Sequence, residues 1–467
     1  MRGRVVGAAV AVGVAAVAGA GWLVAEHEAR VVLDQGVAQF RAQLGPDTRF
    51  SYASAVPSVL RRDARFAAVV LEGPRSTVTA DTMVVACDAA SVCSGTADGV
   101  KVAAKDAGAV SGTAAHVGWT RLDMAAAGGG AGLAEGALNG RLDAGEARGV
   151  HLGGGGGEVD VAAVSIADYG AGRRGRGTLD GLAVTAQDPS GGAAGPAAGV
   201  RPAFHVAVAH AAFDGVDVAS AAGAVRSGVA ASAAPGRQTL EVAGLDLSQG
   251  GAVLLHVGRL GSVTDVPAAG AVHGVGDVTD VRLDGPPALV ESLRGLGYAG
   301  FAGEMHVDAS LDRAAGALTI AALRVVGQGM GEATLAGGFS HLPQNTGATP
   351  PDPAAMLGLT VGGLDLALVD GGLVGRVIDA KARTSGVDPA VLRDGVARQV
   401  EALPVQSGPA RSVRAALAAF VRAPGTLTLG VHPAAPVSLL EVAQLAGQGP
   451  DGVVGALGLT AVAAATK

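Results

Sequence analysis

The chain has 467 residues and a formal net charge of −7 at pH 7, and its residues are 49% hydrophobic and only 3% aromatic. This length is sufficient for a large core and for more than one subdomain. The acidic balance leaves no basic surface of the kind that binds nucleic acid, so we expect no nucleic-acid partner.

The N-terminal segment predicts a transmembrane helix. Arg2 and Arg4 precede an uncharged apolar run over residues 5–24, and Glu26 follows it. About 20 such residues, at ~1.5 Å each, match the ~30 Å hydrocarbon core of a bilayer. Because the basic flank keeps the N-terminus in the cytoplasm, we expect a signal anchor over residues 1–24. The expected location is the inner membrane, single-pass, with the bulk of the chain in the periplasm.

A cleaved signal peptide is the alternative for the same segment. Ala18 and Ala20 fit a small-residue cleavage site, but the apolar run is longer than the ~7–15 residues usual for a signal peptide. The next segment, residues 25–46, favours the anchor because it predicts an amphipathic helix that ends at Gly45 and Pro46. The apolar face of this predicted helix consists of Leu33, Val37, Phe40 and Leu44.

Cys87 and Cys93 are the only two cysteines. In an oxidising exported compartment such a close pair forms a disulfide across a turn, and we prefer this interpretation to two free thiols. The loop is short, so the expected stabilisation is about 2 kcal/mol or less. No second pair of cysteines or histidines stands at ligand spacing, and we therefore predict no metal site.

The central part of the chain, residues 47–342, predicts a β-rich exported region. A hexad of the form apolar-x-Gly-apolar-x-apolar recurs, and its alternating end is typical of a half-buried strand. The glycine indicates a bulge or kink where the strand begins. The copies are residues 179–184, 213–218, 242–247 and 361–366, with residues 66–71 in the same frame but with Ala for Gly.

The clearest hairpin prediction covers residues 305–336. Met305, Val307, Ala309 and Leu311 alternate with polar residues, and the apolar face resumes at Leu318, Ile320 and Ala322 after a turn. Such a meander has one apolar and one solvated face. A proline-rich stretch, residues 343–353, then predicts a linker or loop.

Residues 354–467 predict an α+β region. Asp388 and Pro389 supply an N-cap and a proline at the first helical position, and a strand is expected over residues 426–431. The predicted fold class is therefore α+β: an N-terminal transmembrane helix, then a mainly antiparallel, β-rich body with C-terminal helices packed on the sheet.

No motif in the sequence defines a catalytic or cofactor-binding site. His205 and His210 lie five residues apart in an Ala/Val-rich run without the glutamate of a zinc-protease helix. The glycines at 327, 329 and 331 lack the lysine and following helix of a phosphate loop, and a hairpin turn explains them. We predict no catalytic residues and no cofactor, although an enzyme with dispersed site residues stays open.

The order of these elements resembles that of uncharacterised bitopic envelope proteins of Gram-negative bacteria, of which the AsmA-like and YdgA-like families are the nearest named groups. The resemblance rests on the anchor, the helix to Leu44, the strand over residues 65–71 and the terminal helix–strand set. It implies a β-rich body in the periplasm. It carries over no functional residues, because no motif matches residue by residue.

Three functions follow as expectations. The first is envelope maintenance or lipid handling without covalent catalysis, with the inner membrane, lipid or another envelope protein as partner. The second is an exported enzyme such as a hydrolase, and the third is a scaffold or assembly partner in the envelope. The first depends on whether the apolar face of the sheet is open or filled.

Overall fold

The computed structural model describes residues 28–42, 44, 47–89, 92–106, 109–123, 140–154, 156–186, 204–227, 234–285, 287–342, 357–447 and 449–465. The chain divides into two compact units. The first comprises residues 1–201 and 217–219, and the second comprises residues 202–216 and 220–467. The described residues form twenty strands, and the strand pairings within each unit are antiparallel.

Nine strands belong to the first unit. From β3 onward each strand pairs with the next one along the chain, which makes a meander. The short strands β1 and β2 both pair with β3. The nine strands are β1 (Arg49–Ser51), β2 (Ser54–Ser58), β3 (Asp63–Glu72), β4 (Ser76–Ala89), β5 (Val92–Ala104), β6 (Ser111–Asp123), β7 (Leu142–Gly154), β8 (Gly157–Tyr169) and β9 (Gly175–Ala186).

A helix over residues 28–42, which we call α1, packs on the start of this meander. Val37 of α1 is buried in a cluster with Phe50 and Phe66, and Leu33 and Leu44 pack against the same cluster. Ring contacts continue the packing: Phe40 lies 5.2 Å from Phe50 between ring centroids, at an interplanar angle of 87°. The predicted amphipathic face of this helix is thus confirmed, and it covers β1 and its neighbours.

The second unit holds the other eleven strands. Strands β10 to β18 pair in sequence, β20 pairs with β18, and β19 pairs with the start of β17. They are β10 (Phe204–Val216), β11 (Gly236–Gln249), β12 (Ala252–Val266), β13 (Val272–Leu283), β14 (Phe301–Asp312), β15 (Ala317–Gly327), β16 (Gly331–Ser340), β17 (Thr360–Asp370), β18 (Gly425–Val431), β19 (Val437–Ser438) and β20 (Leu459–Ala465).

Among the described residues, seven further helices lie after the first meander. The predicted N-cap is confirmed: the Asp388 carboxylate accepts hydrogen bonds from the backbone N–H groups of Ala390 and Val391. These helices are α2 (Val218–Ser227), α3 (Pro287–Gly295), α4 (Leu373–Ser385), α5 (Pro389–Glu401), α6 (Gly408–Arg422), α7 (Leu439–Ala446) and α8 (Pro450–Leu457). Among the described residues, the strands against which these helices pack most are β18, β19 and β20.

Most strands of the first unit contain one residue with a left-handed backbone. Gly99, Gly149 and Gly181 have φ values of 62°, 57° and 61°, and Ala68 has 49°. These residues lie in the interior of strands that are longer than the hexad. The register continues unchanged on both sides of Gly181 and Gly244, so the predicted bulge is absent there. Of the predicted hexads, residues 361–366 do have a bulge near the start of their strand, because the register of β16 and β17 shifts between Gly338 and Phe339.

The structure corrects the predicted fold class and location. The described residues form long antiparallel strands with few helices, rather than an α+β body behind a transmembrane helix. The predicted span, residues 5–24, lies outside the described residues, and none of the helices within them is long and apolar enough to cross a membrane. The assignment as a signal-anchored, single-pass inner-membrane protein is therefore wrong. A run of weakly hydrophobic Ala, Gly and Val was an insufficient basis for it.

Candidate functional site

One face of strands β14 to β16 is formed by apolar residues alone. The antiparallel register places Met305 opposite Val325, Val307 opposite Leu323, and Leu311 opposite Leu318. We call this set the apolar face. Its members are Met305, Val307, Ala309 and Leu311 of β14, Leu318, Ile320, Leu323 and Val325 of β15, and Ala333, Leu335, Gly337 and Phe339 of β16.

A bulge in β15 keeps this face continuous. The register of β14 and β15 shifts between Asp308 and Ala309, so that Ala322 lies opposite Asp308 and Leu323 lies opposite Val307. Ala322 therefore lies on the other face, contrary to the prediction. Leu323 lies on the apolar face instead. The sequence pattern alone did not reveal the extra residue because alanine is compatible with either face.

The charged residues of β14 to β16 lie on the opposite face, which we call the polar face. Arg324 donates from Nε and Nη2 to the Glu332 carboxylate at 2.9 and 3.0 Å, and from Nη1 to Glu304 at 3.0 Å. These hydrogen bonds lower the pKa of Glu332 and raise that of Arg324. One guanidinium therefore joins three strands behind the apolar face.

Side chains of the apolar face are partly exposed. None of the twelve residues is buried, and 39% of Met305 is accessible to solvent. By contrast, Val361 on β17 and Leu427 on β18 retain only 6% and 4% exposure. A sheet face that is fully covered shows alternate buried residues, so this face has no complete cover among the described residues.

The C-terminal helices cover the neighbouring part of the sheet. Ala410 and Val413 of α6 and Val454 of α8 form a buried cluster, against which Leu459 and Ala461 of β20 pack. These two β20 residues lie opposite Val431 and Leu429 of β18 in the register. The cover is therefore on β18 and β20, beside the open face on β14 to β16.

A second recurrent feature is a histidine placed opposite an aspartate on the adjacent strand. Nδ1 lies 2.6 to 2.7 Å from an aspartate oxygen in four such pairs. The pairs are His116 with Asp98, His151 with Asp160, His256 with Asp246, and His306 with Asp277. The sequence alone does not predict these pairs, because it does not show which strands are neighbours.

In the first unit, His116 joins three strands. His116 on β6 contacts Asp98 of β5, and its Nε2 lies 3.6 Å from Glu146 of β7. Hydrogen bonds from His116 and then from Thr82 lower the pKa of Asp98. Arg148, opposite His116 in the register, reaches the same Glu146 at 3.1 Å.

The second unit repeats this arrangement. His256 on β12 contacts Asp246 of β11, and its Nε2 lies 3.5 Å from Asp280 of β13. Arg282, opposite His256, reaches Asp280 at 3.0 Å. These side chains are at least partly exposed, and within the described residues no group of histidine, cysteine or acidic residues is arranged to hold a metal ion. The geometry fixes strand register rather than forming a reactive centre.

The other sequence-predicted residues are also placed. Cys87 and Cys93 are directly opposite in the β4–β5 hairpin and are joined by a disulfide of 2.05 Å. His205 and His210 lie on β10. The glycine-rich segment forms the turn between β15 and β16, where the Tyr298 hydroxyl donates to the carbonyl of Gly329. The hairpin interpretation of that segment is confirmed.

Comparison with protein families matches part of the second unit. A family model described only as an uncharacterised protein matches residues 324–464. The matched segment begins in β15 and extends through β20, so it includes part of the apolar face and the helices beside it. No curated protein matches the chain.

Proposed function

We propose that the second unit binds the hydrocarbon chains of lipids on its apolar face, without covalent chemistry. The observation that carries this proposal is the partial exposure of twelve apolar residues in one continuous face. The face spans seven or eight residues of each strand, so three strands at ~4.8 Å spacing and about 24 Å length give a patch on the order of 350 Å². The largest apolar patch on a protein surface typically measures about 300–600 Å² and is often a binding site.

The chemistry of this face favours hydrocarbon over a protein partner. Protein interfaces contain about one hydrogen bond per 100–200 Å². The apolar face offers no hydrogen-bonding side chain, because alternation places Ser310, Thr319 and Thr334 on the polar face. A protein partner would leave its own polar groups unpaired there, whereas a hydrocarbon chain has none to satisfy.

Titration of the full chain with cis-parinaric acid, whose fluorescence rises in apolar surroundings, tests the proposal. We expect saturable binding that Leu323→Asn and Leu335→Asn each weaken about tenfold, because each removes roughly 1.4 kcal/mol of apolar contact. Ala322→Asn and Ala336→Asn are matched controls, since these neighbours lie on the polar face opposite Asp308 and Asp365.

Two results would contradict the proposal. One is the absence of saturable binding by the wild-type chain. The other is equal weakening by the control and the test variants. A protein that instead self-associates through this face would lose its oligomeric state in Leu323→Asn while showing no affinity for the probe.

A further inference from the structure

We propose that the apolar face recognises the hydrocarbon chain alone, so that its ligands form a class defined by chain length and not by head group. This inference rests on the function proposed above. It follows from what the strands next to a bound chain can offer to a polar head.

The side chains of β14 to β16 offer a head group nothing on the apolar side. All the charged residues of these strands lie on the polar face, where they contact charged residues of the same or adjacent strands or, for Asp312, the backbone of the following turn. Arg324 is held by two glutamates, His306 contacts Asp277 at 2.7 Å, and His273 contacts Asp308 at 2.9 Å. A phosphate or sugar at the apolar face would therefore meet no cation, donor or acceptor from these side chains.

The backbone of the same strands is also occupied. Strand β14 pairs with β13 and β15, and β16 pairs with β15 and β17, so that the three strands are interior. Their N–H and C=O groups serve the ladders on both sides. A head group must remain in solvent beyond the strand ends, where its identity has little effect on affinity.

The dimensions of the face set the dependence on chain length. The apolar residues of β15 run from Leu318 to Val325 and extend over about 24 Å at ~3.3 Å per residue. One leaflet of a bilayer is about 15 Å thick, half of the ~30 Å core, so an ordinary lipid chain fits along the face. A fully buried methylene contributes about fourfold in affinity. Contact on one side only should give roughly half that free energy, or about twofold per methylene.

Calorimetric titration of the full chain with two series of single-chain amphiphiles tests this inference. The probes are alkyl phosphocholines and alkyl maltosides with decyl, dodecyl and tetradecyl chains, each below its micelle-forming concentration. We expect equal-length members of the two series to bind within about threefold of each other. Lengthening either chain by two carbons should tighten binding about fourfold, which is twofold per methylene.

Two variants separate chain recognition from head-group recognition. Val307→Thr keeps the side-chain shape but adds a hydroxyl on the apolar face, and it should weaken both series by the same factor. His306→Gln changes the neighbouring residue on the polar face and should leave both series unchanged. Its folding is checked by thermal unfolding before titration.

The possible failures are distinguishable. Binding by one series only, a head-group difference above tenfold, or an effect of His306→Gln on the ratio of the two series would overturn this inference and leave the proposed function standing. Binding without dependence on chain length would overturn it as well. If neither series binds, the proposed function itself fails.

Discussion

Ala68 occupies a backbone conformation that glycine adopts at other positions of the sheet. Its φ of 49° lies in the interior of β3, whereas Gly181 and Gly244 have φ values of 61° in β9 and β11. The left-handed conformation costs an L-residue about 1–2 kcal/mol, and glycine avoids this cost. Part of glycine's advantage is lost because glycine gives up more backbone freedom on folding. The same left-handed backbone conformation therefore has a different free-energy cost in β3, where alanine adopts it, than in β9 and β11, where glycine does.

This difference predicts opposite effects for reciprocal substitutions. Ala68→Gly should raise the free energy of unfolding by about 0.5–1 kcal/mol. Gly181→Ala should lower it by more than about 1 kcal/mol, because the conformation is strained for alanine and the new Cβ would lie 2.9 Å from that of Ala162. Urea denaturation measures both changes.

Gly261 supplies the control for these two variants. It lies in β12 without a left-handed φ, and an added Cβ would meet nothing within 4 Å. Gly261→Ala should therefore not destabilise the fold. Stabilisation by Gly181→Ala would contradict our account of the left-handed backbone positions.

His151 shows how a paired histidine makes stability depend on pH. Its hydrogen bond to Asp160, together with the charges of Asp160 and Glu158, raises the pKa of His151 above its ordinary value of 6.5. A group whose pKa is raised by folding stabilises the native state fully below its unfolded pKa. It loses that contribution as the pH rises through the folded value.

Asp160→Asn should accordingly lower the melting temperature at about pH 5.5 and have little effect at about pH 8.5. Differential scanning calorimetry across this range measures the change. The control is Asp106→Asn, which replaces an exposed aspartate outside the histidine pairs. Its effect on the melting temperature should be the same at every pH in this range. A larger effect of Asp160→Asn at high pH than at low pH would refute the assignment.

At the scale of the element, the β4–β5 hairpin is closed by its disulfide. Cys87 and Cys93 are register partners, so the covalent bond and the strand pairing specify the same alignment. Because the enclosed loop is short, the cross-link removes little entropy from the unfolded chain. The hairpin should therefore fold with or without it.

Replacing both cysteines with serine should lower the free energy of unfolding by about 2 kcal/mol. Reductant should lower the free energy of unfolding of the wild-type protein by the same amount. It should have no effect on the free energy of unfolding of the double variant. Chemical denaturation followed by circular dichroism provides the measurement. Global unfolding of the double variant at room temperature would show that the disulfide contributes far more than its loop length allows.

The elements differ in how far the sequence predicted them. The α1 helix, the N-cap at Asp388 and the turn at Gly329 were predictable, because each depends on a local pattern of a few residues. The place of Leu323 on the apolar face was not, since it depends on a bulge set by the pairing of two strands. The cross-strand pairs of His116 and His256 likewise needed the identity of the neighbouring strand.

At the scale of the whole molecule, the alternation of residues predicted a sheet with one apolar face, but not whether anything covers that face. Hydropathy counts Leu335 and Leu427 alike. Leu427 is only 4% exposed on β18, against which α6 packs, whereas Leu335 of β16 is partly exposed. The location was also mispredicted: it rested on the composition of residues 5–24, which lie outside the described residues, and no helix within the described residues is long and apolar enough to cross a membrane.

The sequential pairing of strands in the second unit has a consequence for how such a chain changes in evolution. Each of the strands β11 to β17 lies between its predecessor and its successor, so removal of the β14–β15 hairpin would bring β13 beside β16 with their antiparallel directions preserved. Insertion of a hairpin would be accommodated in the same way. The apolar surface can therefore grow or shrink by whole hairpins without rethreading the chain, which widens or narrows it across the strands and leaves its length along the strands unchanged.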